Sequence, residues 1–203
     1  MTDHGRIVVL NGTPRSGKSS IVGVIQERWD GPWLNLGVDV FCRQVTPPRY
    51  QPGIGLRPGG ERPDLETHVP ALYAAMYDSI AAHSRHGLHV VVDVGHHDAY
   101  STPLGILPDA ARRLAGLPAL LVGVRCPLDE VMRRREETWG QDREPDGSIP
   151  PPVLRWQQAV HDPGIYDLEV DTGAMSAEKC AELIRRRLDD GPAPSAFEQL
   201  ARG

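Results

Sequence analysis

Cysteine is scarce in this chain, and what there is does not pair. Cys42, Cys126 and Cys180 are odd in number and stand far apart, never as C-x-x-C. That pattern excludes a disulfide framework and a zinc site and points to reduced thiols in a cytoplasmic compartment. Positive charge is also in short supply, since 22 Lys and Arg face 27 Asp and Glu for a net charge of −5. No whole-molecule field therefore favours nucleic acid or an anionic membrane. No apolar run approaches the roughly 18 residues of a membrane span, and Met1 to Arg6 does not have the form of a secretory signal. Internal repeats are absent.

What is present suits one domain. With 203 residues, 40% hydrophobic and 24% charged, the chain can bury a sizeable single core. Apolar runs alternate with amphipathic segments, the order of a parallel sheet covered by helices on both faces. Strands are predicted at Arg6–Leu10, Trp33–Leu36, Leu88–Val94, Ala119–Val124 and Tyr166–Val170. Helices are predicted at Lys18–Trp29, Leu65–Arg85, Leu128–Glu137, Pro152–His161 and Ser176–Leu188. In the second helix Val69, Leu72, Tyr73, Met76, Tyr77 and Ile80 recur at helical spacing and read as core, and Gly87 stops it. The organisation expected is an α/β domain over residues 1–189 with a tail at 190–203 that reads as frayed. A Pro/Gly-rich insertion at about 46–64 reads as a loop or short hairpin over the sheet edge, and a polar, turn-rich stretch lies within a lid at about 133–151.

The most informative stretch is VVLNGTPRSGKSSIV, Val8 to Val22. It fits G-x-x-x-x-G-K-[ST] at Gly12, Gly17, Lys18 and Ser19, between a β-branched strand and a helix, which is the context this motif requires. Gly12, Thr13, Pro14, Arg15, Ser16, Gly17, Lys18, Ser19 and Ser20 form the expected nucleotide-binding set. Backbone N–H groups turned inward at a helix N-terminus make an anion nest. Lys18 would reach the β- and γ-phosphates of ATP, and the Ser19 hydroxyl would ligate Mg²⁺.

Ligands of open α/β sheets bind at the carboxyl ends of the strands, so acids are sought there. Asp93 ends the strand in VVVDV and suits the Mg²⁺ shell. Asp39, just past the second strand in LNLGVDVF, suits a general base for a substrate hydroxyl. A helix N-cap is the ordinary alternative for each. Phosphoryl transfer also needs positive charge over the γ-phosphate. Arg125, Arg133, Arg134, Arg135 and Arg143 follow the fourth strand. Three consecutive arginines cannot share one helical face, so at least one is a surface charge. Arg135 and Arg143 are expected to close on the nucleotide, with pairing to Glu136, Glu137 or Asp142 as the alternative. His83, His86 and His89 cross a helix end, and His96 and His97 lack a partner at ligand spacing. The latter two follow Asp93 and are placed where they could line an acceptor pocket.

Other nucleotide users fit less well. A GTPase would carry N-K-x-D and D-x-x-G, and DVGH at Asp93–His96 fails at its last position. A non-catalytic ATP-binding regulator would not need Asp39 and Asp93 beside Lys18 and Ser19.

VVLNGTPRSGKSSIV, PWLNLGVDVF, GLHVVVDV, LVGVRC and YDLEVDT occur in the order and spacing of the chloramphenicol 3-O-phosphotransferase family, which this chain resembles from about Arg6 to Leu188. The resemblance implies the fold of a P-loop antibiotic kinase. It also implies ATP-dependent phosphorylation of a hydroxyl on a small-molecule acceptor, with Asp39 as base and lid arginines carried to Arg135 and Arg143. The chain departs from the family pattern after the third strand, where a single Asp93 is followed by GHHDAY. Its insertion, with Arg49, Tyr50, Arg57 and Arg62, is more basic than an apolar amphenicol needs. A polar or differently shaped natural product therefore stands beside chloramphenicol, and kinases of nucleosides, sugars or shikimate remain the alternative. A homo-oligomer is compatible with the sequence.

Overall fold

The structure is a computed structural model that describes residues 4–140 and 143–202. Met1 to Asp3, Asp142 and Gly203, on which parts of the sequence reading fall, lie outside the described residues. Five strands, β1 (Ile7–Asn11), β2 (Trp33–Asn35), β3 (His89–Val94), β4 (Ala119–Arg125) and β5 (Leu168–Asp171), pair in parallel in the order β2-β3-β1-β4-β5. Every residue of β1 is buried, as expected of a central parallel strand covered on both sides. Side chains alternate between two cores. Ile7, Val9, Val90, Val92 and Leu121 pack on one face with α4 (Val69–Arg85), α5 (Ile106–Arg113) and α9 (Ala196–Arg202). Val8, Leu10, Val91, Leu120 and Val122 pack on the other with α1 (Lys18–Arg28) and α8 (Ala177–Asp190).

Three regions differ from the sequence reading. The C-terminal residues are not frayed: α9 buries Ala196, Phe197 and Leu200, and Asp167 Oδ1 accepts hydrogen bonds from the backbone N–H groups of Ser195 and Ala196 at the start of that helix. The stretch after β2, for which no element is predicted, is helical, with α2 (Val38–Val40) running into a π-helical turn at Phe41–Val45. The insertion forms no hairpin. It contains a 3-10 turn at Pro48–Tyr50 and α3 (Pro63–Glu66), and it drives Ile54 and Leu56 into the core. Beyond β4, α6 (Leu128–Trp139) spans the first part of the expected lid, and α7 (Pro151–Ala159) follows it. No helix among the described residues is long and apolar enough to cross a membrane.

Candidate active site

β1 ends at Asn11, and the loop from Gly12 to Gly17 carries the chain into the first turn of α1. Crowding demands glycine at position 12, where a Cβ would lie 2.5 Å from the Val124 carbonyl oxygen. At position 17 the backbone demands it, with φ of 87° in the left-handed region. Lys18 folds over this loop, donating from Nζ to the Gly12 and Thr13 carbonyls at 2.7 Å each. Burial pushes the Lys18 ammonium down to about 8 from its ordinary 10.5, while Asp93 and then Asp39 pull it part of the way back. Both acids therefore act electrostatically on the loop lysine.

Asp93 stands in register with Leu10 near the end of β3, and its Oδ2 accepts a hydrogen bond from the Ser19 hydroxyl at 2.7 Å. The approach of β2 leaves no room beside it, since a Cβ on Gly37 would lie 1.8 Å from Asp93 Oδ1. Gly37 is the N-cap of α2, so Asp39 falls inside the first turn and is not itself the cap. Its side chain is 74% exposed, 3.8 Å from Arg43, and faces the same cavity. Asp93 lies within a strand and caps no helix.

The arginines after β4 divide into distinct roles. Arg125 pairs with Glu169, and Arg133 is a surface charge held by Glu130 and Glu137. Arg135 is 9% exposed, lines the cavity and lies over the Trp139 ring at 4.8 Å. Arg143 does not join it among the cavity-lining residues. Its Nε donates to Glu136 at 2.9 Å and its Nη1 to the Gly147 carbonyl at 3.2 Å, the ordinary pairing that competes with a lid role. Asp142, the other expected partner, lies outside the described residues.

These groups converge on one cavity of about 770 Å³. Two groups of residues line it: the phosphate loop, Ser16 excepted, with Arg134, Arg135, Thr138 and Trp139, and the segments that bring Val38, Asp39, Arg43, Pro52, Arg57 and Trp156. His96 and His97 are buried and are not among the lining residues. His96 Nε2 is hydrogen-bonded to the Tyr77 hydroxyl at 2.6 Å, and His97 Nε2 to the Leu56 carbonyl at 2.8 Å. Among the described residues no cluster of three or more His, Cys, Asp or Glu side chains is arranged to hold a metal ion.

Residues 5–189 match the chloramphenicol phosphotransferase-like protein family. The chain belongs to this family. It is 29% identical over 214 residues to Rv2636 of Mycobacterium tuberculosis H37Rv, a protein whose name provisionally assigns it O-phosphotransferase activity. That alignment covers 97% of this chain and 88% of the relative. Its fold is that of the Mycobacterium tuberculosis APS kinase CysC, solved with AMPPNP and APS, at a TM-score of 0.63 and 17% identity over 92% of this chain and 99% of the other. Shikimate kinase from Acinetobacter baumannii, solved with shikimate, gives 0.59 and 12% over 91% and 93%. Family and relative make the protein a phosphotransferase with a hydroxyl group of a small molecule as acceptor, on a P-loop kinase fold.

One feature of this phosphotransferase escaped sequence reasoning because it spans the chain. Thr172, in the YDLEVDT stretch, donates from its hydroxyl to the Ser16 carbonyl at 2.7 Å. Arg134 in turn donates to the Thr172 carbonyl at 2.7 Å and to its hydroxyl oxygen at 3.2 Å, while Glu130 holds the other edge of the guanidinium. The end of β5 thereby fastens the phosphate loop. Asn11, at the end of β1, ties the segment after β3 to the C-cap of α7, accepting from the His96 N–H at 2.7 Å and donating to the Val160 carbonyl at 2.8 Å.

Proposed function

We propose that the protein transfers the γ-phosphoryl group of ATP, with Mg²⁺, to a hydroxyl of a small natural product, chloramphenicol being the first candidate its family offers. The observation that carries this reading is the convergence of Lys18, Ser19, Asp93 and Asp39 on one cavity at the carboxyl edge of the sheet. The loop amides and Lys18 bind the phosphates. Ser19 and Asp93, two hard oxygen donors already in contact, fit a cation that takes few protein ligands and completes its shell with phosphate and water. Bound there, Mg²⁺ supplies charge neutralisation on the phosphate oxygens.

Asp39 accepts the proton of the acceptor hydroxyl as its oxygen attacks the γ-phosphorus in line. The bond from that phosphorus to the β–γ bridging oxygen breaks, and ADP leaves with the electron pair. Arg135 stabilises charge on the equatorial oxygens. Arg135 lines the cavity and Arg143 does not, so Arg135 is the arginine the geometry favours.

The test is mass spectrometry of hydroxylated antibiotics and metabolites incubated with protein, ATP and Mg²⁺. Addition of one phosphoryl group, lost with a folded Lys18→Ala protein, is the expected result. Equal transfer by the Lys18→Ala protein would remove the phosphate-loop reading.

A further inference from the structure

The cavity is lined by a cation that the reaction chemistry does not use. Of the three arginines in the Pro/Gly-rich insertion, Arg62 is neutralised by a bidentate pairing with Asp64, and Arg49 lies over the Tyr50 ring outside the cavity. Arg57 alone of these faces the cavity, and it has no carboxylate or hydrogen-bond partner among the described residues. Nor is it on a loose loop. The preceding Leu56 is 3% exposed with its carbonyl held by His97, and two residues on, the Gly59 N–H donates to the Ala99 carbonyl at 2.7 Å. Ile54, 1% exposed, pins the approach. The chain thus anchors the backbone on both sides of Arg57, whose exposed side chain meets no carboxylate among the described residues.

Arg43 adds to the imbalance. It lines the same cavity and meets only Asp39, at 3.8 Å with both side chains 74% exposed, which is a weak solvent-screened contact. The cavity lining as a whole carries Arg15, Lys18, Arg43, Arg57, Arg134 and Arg135 against Asp39, Asp93 and Glu137, a formal excess of positive charge in a chain whose net charge is −5. Trp156 lines the same cavity, its indole N–H buried against Gly95 without a hydrogen-bond partner, so its resonance reports on this wall. A neutral acceptor such as chloramphenicol would leave the guanidiniums unmatched, whereas an oxyanion would receive charge-assisted hydrogen bonds from the planar fork of arginine.

From this we infer that the acceptor is an alcohol that also bears an anionic group, a carboxylate, sulfate or phosphate, recognised by Arg57 and Arg43 while Asp39 takes the hydroxyl proton. The inference rests on the kinase reading and replaces chloramphenicol, which is neutral, with an anionic alcohol as the first candidate acceptor. Arg57 acts in recognition and not in chemistry.

Two measurements test it. The first fills the phosphate loop with saturating AMPPNP and Mg²⁺ and then titrates inorganic sulfate, following the Trp156 indole resonance by NMR. Saturable binding is expected, weakened about 10- to 100-fold in Arg57→Gln and unchanged in Arg49→Gln. Absence of saturable binding, or equal affinity in Arg57→Gln, overturns the inference while leaving the kinase reading intact. Failure of AMPPNP to bind overturns the kinase reading itself and the inference with it. The second identifies the best acceptor among carboxylate-, sulfate- or phosphate-bearing alcohols and their neutral counterparts, shikimate and its methyl ester among them, beside chloramphenicol. An anionic acceptor is expected, with Arg57→Gln raising its KM at least tenfold and changing kcat by less than about threefold. A neutral acceptor with the highest kcat/KM overturns the inference.

Discussion

Replacing Gly37 with alanine separates Asp93, the carboxylate proposed to hold the cation, from the rest of the site. The backbone there has φ of −67° and ψ of 166°, which alanine adopts without strain, and Asn35 Oδ1, which accepts from the Gly37 N–H, would lie 3.1 Å from the new Cβ and needs only a small shift. Alanine should even gain about 0.4–1 kcal/mol by restricting the unfolded chain. The obstacle is local: the new Cβ would lie 1.8 Å from Asp93 Oδ1. Asp93 must swing away, breaking its charge-assisted hydrogen bond with Ser19 at a cost of about 1.5–3 kcal/mol. Stability should therefore fall only by about 1–2 kcal/mol, or roughly 2–8 °C in Tm for a chain of this size. The affinity for AMPPNP with Mg²⁺ should fall by about 10- to 100-fold, while the affinity measured in EDTA stays within about threefold. Calorimetric titration in both buffers reads the difference. Equal Mg²⁺-dependent affinities in the two proteins would refute the placement of the cation at Ser19 and Asp93.

Three other perturbations probe the remaining parts. Thr172→Val should lower stability by about 1–3 kcal/mol and raise the KM for ATP, because the Ser16 carbonyl and Arg134 each lose a partner; a thermal melt and nucleotide titration check this. Arg135→Gln should lower kcat by about 100-fold or more with nucleotide affinity little changed, whereas Arg143→Gln should change kcat by less than about threefold; the reverse result in steady-state kinetics would give Arg143 the catalytic role. Burial and the neighbouring His97 push His96 down to about 3 from 6.5, so the unfolded chain binds a proton there that the folded chain refuses. Stability should accordingly fall as pH drops from 6.5 toward 3, by up to about 1.4 kcal/mol per pH unit from this group, and His96→Gln should flatten that slope in denaturant titrations.

The strands were legible because nearly unbroken apolar runs such as Val8 to Leu10 and Leu120 to Val122 have few other places to go. The phosphate loop was legible because glycine spacing and Lys18 are local chemistry. Helix α5 was not, since Pro108 and eight residues of length hide the face that buries Ile106, Ala110 and Ala111. Gly191, Pro192 and Pro194 made the C-terminus look like a tail, although Phe197 and Leu200 behind them carry an apolar face that α9 packs into the core. The insertion read as a surface loop because its Pro and Gly density outweighs the isolated Ile54 and Leu56, which only tertiary contact shows to be anchors. Within the site, Asp39 and Asp93 could be placed from strand ends. The Thr172–Ser16 bond and the entry of Arg57 into the cavity depend on residues far apart in sequence, and no local pattern announces them.

The central claim is that Asp39 removes the acceptor proton, and Asp39→Asn tests it most directly because asparagine keeps the size of the side chain but cannot accept that proton. A general base contributes about 10²- to 10⁴-fold to the rate, or roughly 2.7–5.4 kcal/mol of barrier. ATP affinity, Tm and phosphoryl transfer to the best acceptor should be measured on one Asp39→Asn preparation. The account predicts near-normal affinity and Tm with transfer reduced at least 100-fold; transfer at the wild-type rate from that folded, ATP-binding protein would contradict it.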